Sequence, residues 1–280
     1  MNYRHAYHAG NFADVLKHLV LVSILEHLGR KPQPYFFLDT HAGRGNYPLA
    51  EAETQRGGEY QDGILRLIEA SAVPPAVARY LDVIRELAWE DTRLTAYPGS
   101  PRIALSRMRG DDRAALCELE PQEVAALRAE VRGDQRAAVH QRDGYEALGA
   151  LLPPREKRGL VLIDPSYEDP GEFEALQIAL VAAHARWASA VYAVWYPIKH
   201  GDAAGHFLGR MAATGLRPQL VVELCVQRDD TPGGLNGAGM LLVNPPWQLD
   251  QYLAHDLPWL QARLAPPNRG RWRVSWLMPE

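Results

Sequence analysis

From Phe12 to Gly29 apolar residues recur at Phe12, Val15, Leu16, Leu19, Val20, Ile24 and Leu28, the spacing of one helical face. Asn11 stands where a cap belongs, Asp14 puts negative charge in the first turn, and Gly29 ends the run. The polar Asp14, Lys17 and His18 fall outside that stripe. A short apolar run follows, PYFFLD, read as a buried strand ending at Asp39, then the glycine-containing turn THAGRGNY. Residues 50–98 read differently. Val77, Tyr80, Leu81, Ile84, Leu87 and Ala88 form a clean helical stripe behind Pro74-Pro75, weaker helical signal lies around Ile64 to Ile68, and no strand candidate is evident. YPGSPRIAL leads into another helix from about Pro101.

From there strands and helices alternate. AALCELE, AAVHQRDG, GLVLIDPSYE and SAVYAVWYP read as strands, with helices over Pro121 to Val131 and Phe173 to Ala185. QLVVELCVQ and GAGMLLVNPP close the count at seven strands. Such alternation predicts an α/β domain with a mostly parallel seven-stranded sheet and helices on both faces. The last two strands, joined by a glycine-rich loop, suggest an antiparallel edge. The expected organisation is one domain built from residues 1–49 and 99–280, with 50–98 as a small inserted helical subdomain.

Bulk properties narrow the class. The chain has 280 residues and is 47% hydrophobic, enough for a sizeable core. Its two cysteines, Cys117 and Cys225, make no ligand-spaced pair, which argues against a disulfide scaffold and a zinc site. Without a signal segment or a long apolar run, a soluble cytoplasmic protein is expected, with no metal and no membrane partner. The net charge of −4 offers no global attraction for nucleic acid, so RNA or DNA binding must use a local surface. Half of the 10 histidines, His5, His8, His18, His27 and His41, fall within the first 50 residues.

Ligands of open α/β sheets sit outside the carboxyl ends of the strands. Those ends carry Asp39, Glu118, Asp143 and Asp164, in order, and Gly43 and Gly45 follow the first. Glycines let backbone turn tightly against a ligand, and an acid after the second strand suits ribose hydroxyls. A dinucleotide fingerprint would need a third glycine where Pro48 stands. Asp39, just before the turn, suits a cationic amino group better than a pyrophosphate. Asp39-x-x-x-Gly43-x-Gly45 resembles the glycine motif of class I S-adenosylmethionine (SAM)-dependent methyltransferases.

Asp164-Pro165-Ser166-Tyr167 resembles the (D/N/S)-P-P-(Y/F/W) motif of amino methyltransferases. An exocyclic adenine amine is a poor nucleophile because its lone pair is delocalised into the ring. Two acceptors aimed at its N–H bonds, the Asp164 carboxylate and the Pro165 carbonyl, favour the pyramidal geometry of the transition state. Tyr167 is placed to stack on the base. A look-alike, Asn244-Pro245-Pro246-Trp247, fits the consensus letters better but ends the last strand, away from the expected transfer site.

YRHAYHAGNFADVLKH, LDTHAGRGNY, YPGSP, RDGY, LVLIDPSYE, AVWYP and VSWLMPE together resemble the RlmJ family, bacterial methyltransferases of adenine N6 in 23S ribosomal RNA. The resemblance spans almost the whole chain. It implies a Rossmann-like class I fold with an inserted helical subdomain and S-adenosylmethionine as cofactor, leaving S-adenosylhomocysteine. The implied cofactor residues are Lys17, His18, His41, Gly43, Ser100, Glu118, Asp143, Gly144 and Asp164. Asp164 is the implied catalytic residue. Tyr3, Arg4 and His5 are expected as a lid that meets the RNA, with Pro165 and Tyr167 on the target base. The family commonly has Pro where Ser166 stands. The expected partner is 23S ribosomal RNA and the expected state a monomer. The same chemistry on DNA adenine or a protein glutamine, and a nicotinamide-dependent oxidoreductase, remain the alternative readings of these residues.

Overall fold

The computed structural model describes residues 5–279. Its centre is a sheet of eight strands: β1 (Phe36–Asp39), β2 (Arg113–Glu118), β3 (Ala137–Gln141), β4 (Gly159–Ile163), β5 (Val191–Ile198), β6 (Gln219–Cys225), β7 (Gly237–Val243) and β8 (Arg271–Met278). Across the sheet they run β8-β6-β7-β5-β4-β1-β2-β3. β1 to β5 are mutually parallel; β7 is antiparallel to both β5 and β6, and β8 is antiparallel to β6. The reversal of strand order between β1 and β4 is the switch point where ligands bind in such sheets.

Alternate strand residues feed two cores, as a period of two requires. Phe37, Leu116, Leu162 and Met240 join helices α1 (Phe12–Gly29), α4 (Pro75–Ala88), α5 (Ser100–Arg107) and α10 (Leu249–Leu264) on one face. Leu38, Cys117, Val161 and Tyr192 join α7 (Gly144–Leu151), α8 (Glu172–Arg186) and α9 (Ala203–Ala213) on the other. α6 (Pro121–Glu130) connects β2 to β3. No described helix is long and apolar enough to cross a membrane.

Between β1 and α5 the chain forms α2 (Ala52–Gly57), α3 (Leu65–Ile68) and α4. The start of α4 has no cap of its own. Asp256, buried in α10, supplies one, its Oδ2 accepting from the amides of Ala76 and Val77 at 2.7 and 3.2 Å.

The structure corrects three expectations. Eight strands replace seven. Trp272, Val274 and Trp276 alternate with Arg271, Arg273 and Ser275, so β8 carries the period-two signal, but α10 before it hides its pattern behind an internal Pro258. The β6–β7 pair is not the sheet edge, because β8 covers β6. The segment from 50 to 98 is not purely helical: Trp89–Glu90 pairs with Arg93–Leu94, and Ala96–Pro98 pairs with Asn46–Pro48, strands too short to show a period. α1 is buried beyond its apolar stripe: Asp14, Lys17 and His18 are 2%, 5% and 1% exposed.

Candidate active site

The carboxyl ends of β1 to β5 and the start of α1 surround one cavity of about 1000 Å³, ample for a nucleoside cofactor and a base together. Its walls include His5, Lys17, His18, His41, Gly43, Ser100, Glu118, Asp143, Gly144, Asp164, Pro165 and Tyr167. Of the described residues expected in the site, all but Asp39 lie on this one surface. Tyr3 and Arg4 lie outside the described residues.

The turn after β1 is built as its glycines require. Gly43 and Gly45 have φ of 59° and 83°, a region that disfavours other residues. Gly43 N–H donates to Glu118 Oε2 at 2.9 Å, and the amides of Leu119 and Glu120 donate to Oε1 at 2.7 and 2.9 Å. Three of the roughly four acceptor positions of this carboxylate are thus filled by backbone, which fixes its plane and leaves one strong bond for a ligand hydroxyl. Asp143 caps α7, its Oδ1 accepting from Tyr145 and Glu146 N–H, while Oδ2 takes no bond from the described residues. Gly144 follows because a Cβ there would sit 2.5 Å from the Thr40 carbonyl and 2.7 Å from His41 Cε1.

Asp39 does not reach the cavity. It is fully buried, its Oδ2 accepting from Ser100 Oγ at 2.6 Å and its Oδ1 from the His41 amide at 3.3 Å. Burial, with the nearby Asp164 charge, pushes its carboxyl up to about 7. Ser100 is therefore the surface that this acid presents. Burial lowers His41 to about 4, and burial together with the Lys17 charge lowers His18 to about 3, so both rings are neutral. Their Nδ1 atoms meet Thr40 Oγ1 and Tyr97 Oη, each at 2.8 Å.

Asp164 closes β4. Its Oδ2 accepts from Lys17 Nζ at 2.6 Å, and its Oδ1 takes no bond from the described residues. Lys17 also meets Asp14 Oδ1 at 2.8 Å. Burial would neutralise this ammonium, but the Asp14 and Asp164 carboxylates outweigh it and hold Lys17 well above its ordinary range. Pro165 is buried behind Asp164. Tyr167 has a φ of 53°, and its ring packs against Phe173 and Trp195 at centroid distances of 4.8 and 5.7 Å. Its hydroxyl donates to the Trp195 carbonyl at 2.6 Å. Burial raises this phenol well above its usual range.

The cavity also holds residues that sequence reasoning left out. Arg44 grips Glu123 with two bonds of 2.9 and 2.7 Å at the rim, Tyr145 donates to Glu172, and Trp195 forms wall. Asp14 was legible only as a helix-start charge; its spacing of three from Lys17 was the available signal.

The look-alike motif is elsewhere. β7 runs antiparallel, with Val243 opposite Tyr192 at the beginning of β5. Asn244 therefore emerges at the sheet edge opposite Asp164, donating through Nδ2 to the carbonyls of Ser189 and Ala190, with Trp247 76% exposed.

Parallel strands in this order, an antiparallel strand between the fifth and sixth, acids at the ends of strands two to four and an Asp-Pro-x-Tyr turn at the fourth define a class I methyltransferase. The family profile described as "Ribosomal RNA large subunit methyltransferase D, RlmJ" matches residues 32–278. Two relatives, from Escherichia coli (strain K12) and Haemophilus influenzae, each described as "Ribosomal RNA large subunit methyltransferase J", are 40% identical over 280 residues, covering 100% of both chains. A crystal structure of a protein from Legionella pneumophila str. Philadelphia 1 superposes with a TM-score of 0.89 at 34% identity, covering 96% of this chain and 98% of that one. The chain belongs to the RlmJ family of ribosomal RNA large subunit methyltransferases.

Proposed function

We propose that this chain transfers a methyl group from S-adenosylmethionine to the exocyclic N6 amine of an adenine in 23S ribosomal RNA. One observation carries the reading. Asp164, whose Oδ1 takes no bond from the described residues, opens from β4 into the same cavity as Glu118, Asp143 and the Gly43 turn. The cavity suits that cofactor in its donor set: Glu118 has one acceptor position for a ribose hydroxyl, Asp143 Oδ2 is available for an adenine amine, and Gly144 keeps the floor thin enough for close approach.

S-adenosylmethionine supplies an electrophilic methyl group carried on a sulfonium. Glu118, Asp143 and Gly144 hold the adenosine portion, and His41, Gly43 and Ser100 border it. Lys17 and His18 shape the end nearest Asp164. The target base, turned out of its helix, lies against Tyr167. Asp164 Oδ1 and the Pro165 carbonyl accept its two amine hydrogens, directing the nitrogen lone pair at the methyl carbon. With S-adenosylmethionine and the base bound, these residues would orient the two toward each other, and that orientation would supply much of the rate. Transfer would break the sulfonium C–S bond as the N–C bond forms, leaving S-adenosylhomocysteine, and the methylated nitrogen would release one proton to solvent; Asp164 need not remove it beforehand. His5, on the cavity wall, borders the bound base. A ribosomal RNA substrate places the reaction in the cytoplasm.

The test is mass spectrometry of nucleosides from unmodified 23S ribosomal RNA after treatment with the protein and S-adenosylmethionine. New N6-methyladenosine is expected. Methylation of a DNA or peptide substrate instead, or of another nucleoside, would overturn the reading.

A further inference from the structure

Asp14 is buried inside α1, and three of its roughly four acceptor positions go to neighbours of different origin. Its Oδ1 meets Lys17 Nζ at 2.8 Å. Its Oδ2 accepts from the Gly10 amide at 2.9 Å and meets His5 Nε2 at 3.0 Å. Helix capping does not account for this carboxylate, because the cap of α1 is Asn11, which already serves the Ala13 and Asp14 amides. Nor is Asp14 in contact with Asp164. Lys17 stands between them, 2.6 Å from one and 2.8 Å from the other.

That arrangement solves two problems. A lysine ammonium hangs on four rotatable bonds and, held at a single contact, swings. Flanked by two carboxylates it is fixed. A full positive charge on Asp164 alone would also weaken that carboxylate as an acceptor for amine hydrogens. With Asp14 sharing the ammonium, the three groups together stay negative toward the cavity, which suits a nitrogen gaining positive charge. The charged and titratable groups facing Asp14 are His5 and His8 from before α1, Lys17 and His18 within α1, and Glu59; Tyr80 and Tyr97 lie behind His18.

We propose that Asp14 is a positioning residue for methyl transfer. Its carboxylate locks Lys17 against Asp164 on one side and ties down His5 and Gly10 on the other, so that seating of the chain before α1 sets the geometry of the catalytic carboxylate. This rests on the role given to Asp164 above.

A double-mutant cycle tests it. Single-turnover transfer to unmodified 23S ribosomal RNA is measured for wild type, Asp14→Asn, Lys17→Met and the double variant, with melting temperatures alongside. Asp14→Asn should slow transfer about 10- to 100-fold while RNA KM moves less than about threefold. In the Lys17→Met background the same change should cost less than about twofold. Equal losses in both backgrounds, or an effect on KM alone, overturn the proposal. Should Asp14→Asn fail to fold, Asp14→Glu, which keeps the charge and displaces it, takes its place in the cycle with the same outcomes. A substrate-free measurement separates this proposal from the reading it rests on. Exchange of the Lys17 ammonium protons with water, followed by nitrogen-15 NMR, should quicken about tenfold or more in Asp14→Asn. If wild type methylates no adenine, the function assigned above fails; if the exchange rate is unchanged, Asp14 does not hold Lys17.

Discussion

Lys17 Nζ and Asp164 Oδ2 lie 2.6 Å apart across 147 residues of sequence, joining the first helix to the end of the fourth strand. The contact fills one carboxylate oxygen and leaves the other toward the cavity. Asp164→Ala removes an acceptor that no neighbour replaces, and leaves Lys17 with Asp14. Transfer is expected to fall by about a thousandfold or more, as when a preorganised hydrogen-bonding group is lost at a reacting centre. The melting temperature should change little, since Asp164 borders the cavity and does not pack the core. Single-turnover assays with circular dichroism decide it; near-normal activity in a folded variant would remove Asp164 from the chemistry.

Tyr167 has two jobs that substitution can separate. Its ring lines the cavity wall with Phe173 and Trp195, and its hydroxyl ties the turn to the Trp195 carbonyl. Base stacking on an aromatic contributes about 1–3 kcal/mol, so Tyr167→Ala should raise the RNA KM by roughly tenfold. Tyr167→Phe keeps the ring and loses one hydrogen bond, and its KM should stay within about threefold of wild type. Steady-state kinetics on both variants check this, and an unchanged KM for the alanine variant would argue against stacking.

Asn244→Ala is the control that the sequence itself suggests. The Asn244 motif matches the consensus letters better than the Asp164 motif, yet its side chain only ties the end of β7 to the Ser189 and Ala190 carbonyls. Transfer by this variant should stay within about twofold of wild type, with stability lower by about 1 kcal/mol for the lost bonds. A collapse of transfer with the fold preserved would reverse the assignment of the two motifs.

That contrast shows what was readable. The strands could be ordered because each is a short apolar run ending in a chemically marked residue; Glu118, Asp143 and Asp164 marked the cavity edge, while Asp39 marked the end of β1 without reaching the cavity. Family likeness then supplied Lys17, His18 and Ser100, which no periodicity marks. Three features were out of reach. β8 and α10 follow the expected last strand, and Pro258 obscures the helix. The paired strands at Trp89–Glu90 and Ala96–Pro98 are too short to repeat a pattern. Asp14 and Asp39 look like ordinary element-end acids, and their roles come from partners that only the fold brings near: Lys17 with Gly10 for one, Ser100 for the other.

Asp39 gives the site a pH signature. Its carboxyl is pushed up to about 7 from an ordinary 3.8, chiefly by burial and further by Asp164, against the bonds from Ser100 and the His41 amide. The folded chain thus keeps this proton over a range in which the unfolded chain has released it. Stability contributed by this group is present below about pH 4 and declines as pH rises toward about 7, where ionisation of the folded state ends the decline. Asp39→Asn has no such proton to hold, and its amide oxygen can still accept from Ser100. Relative to wild type, the variant should therefore gain in melting temperature between about pH 4 and about pH 7 and run parallel above that. Melting curves of both proteins across that range check the sign. A difference that stays flat with pH would mean that Asp39 is ionised throughout, with Ser100 and the His41 amide outweighing its burial.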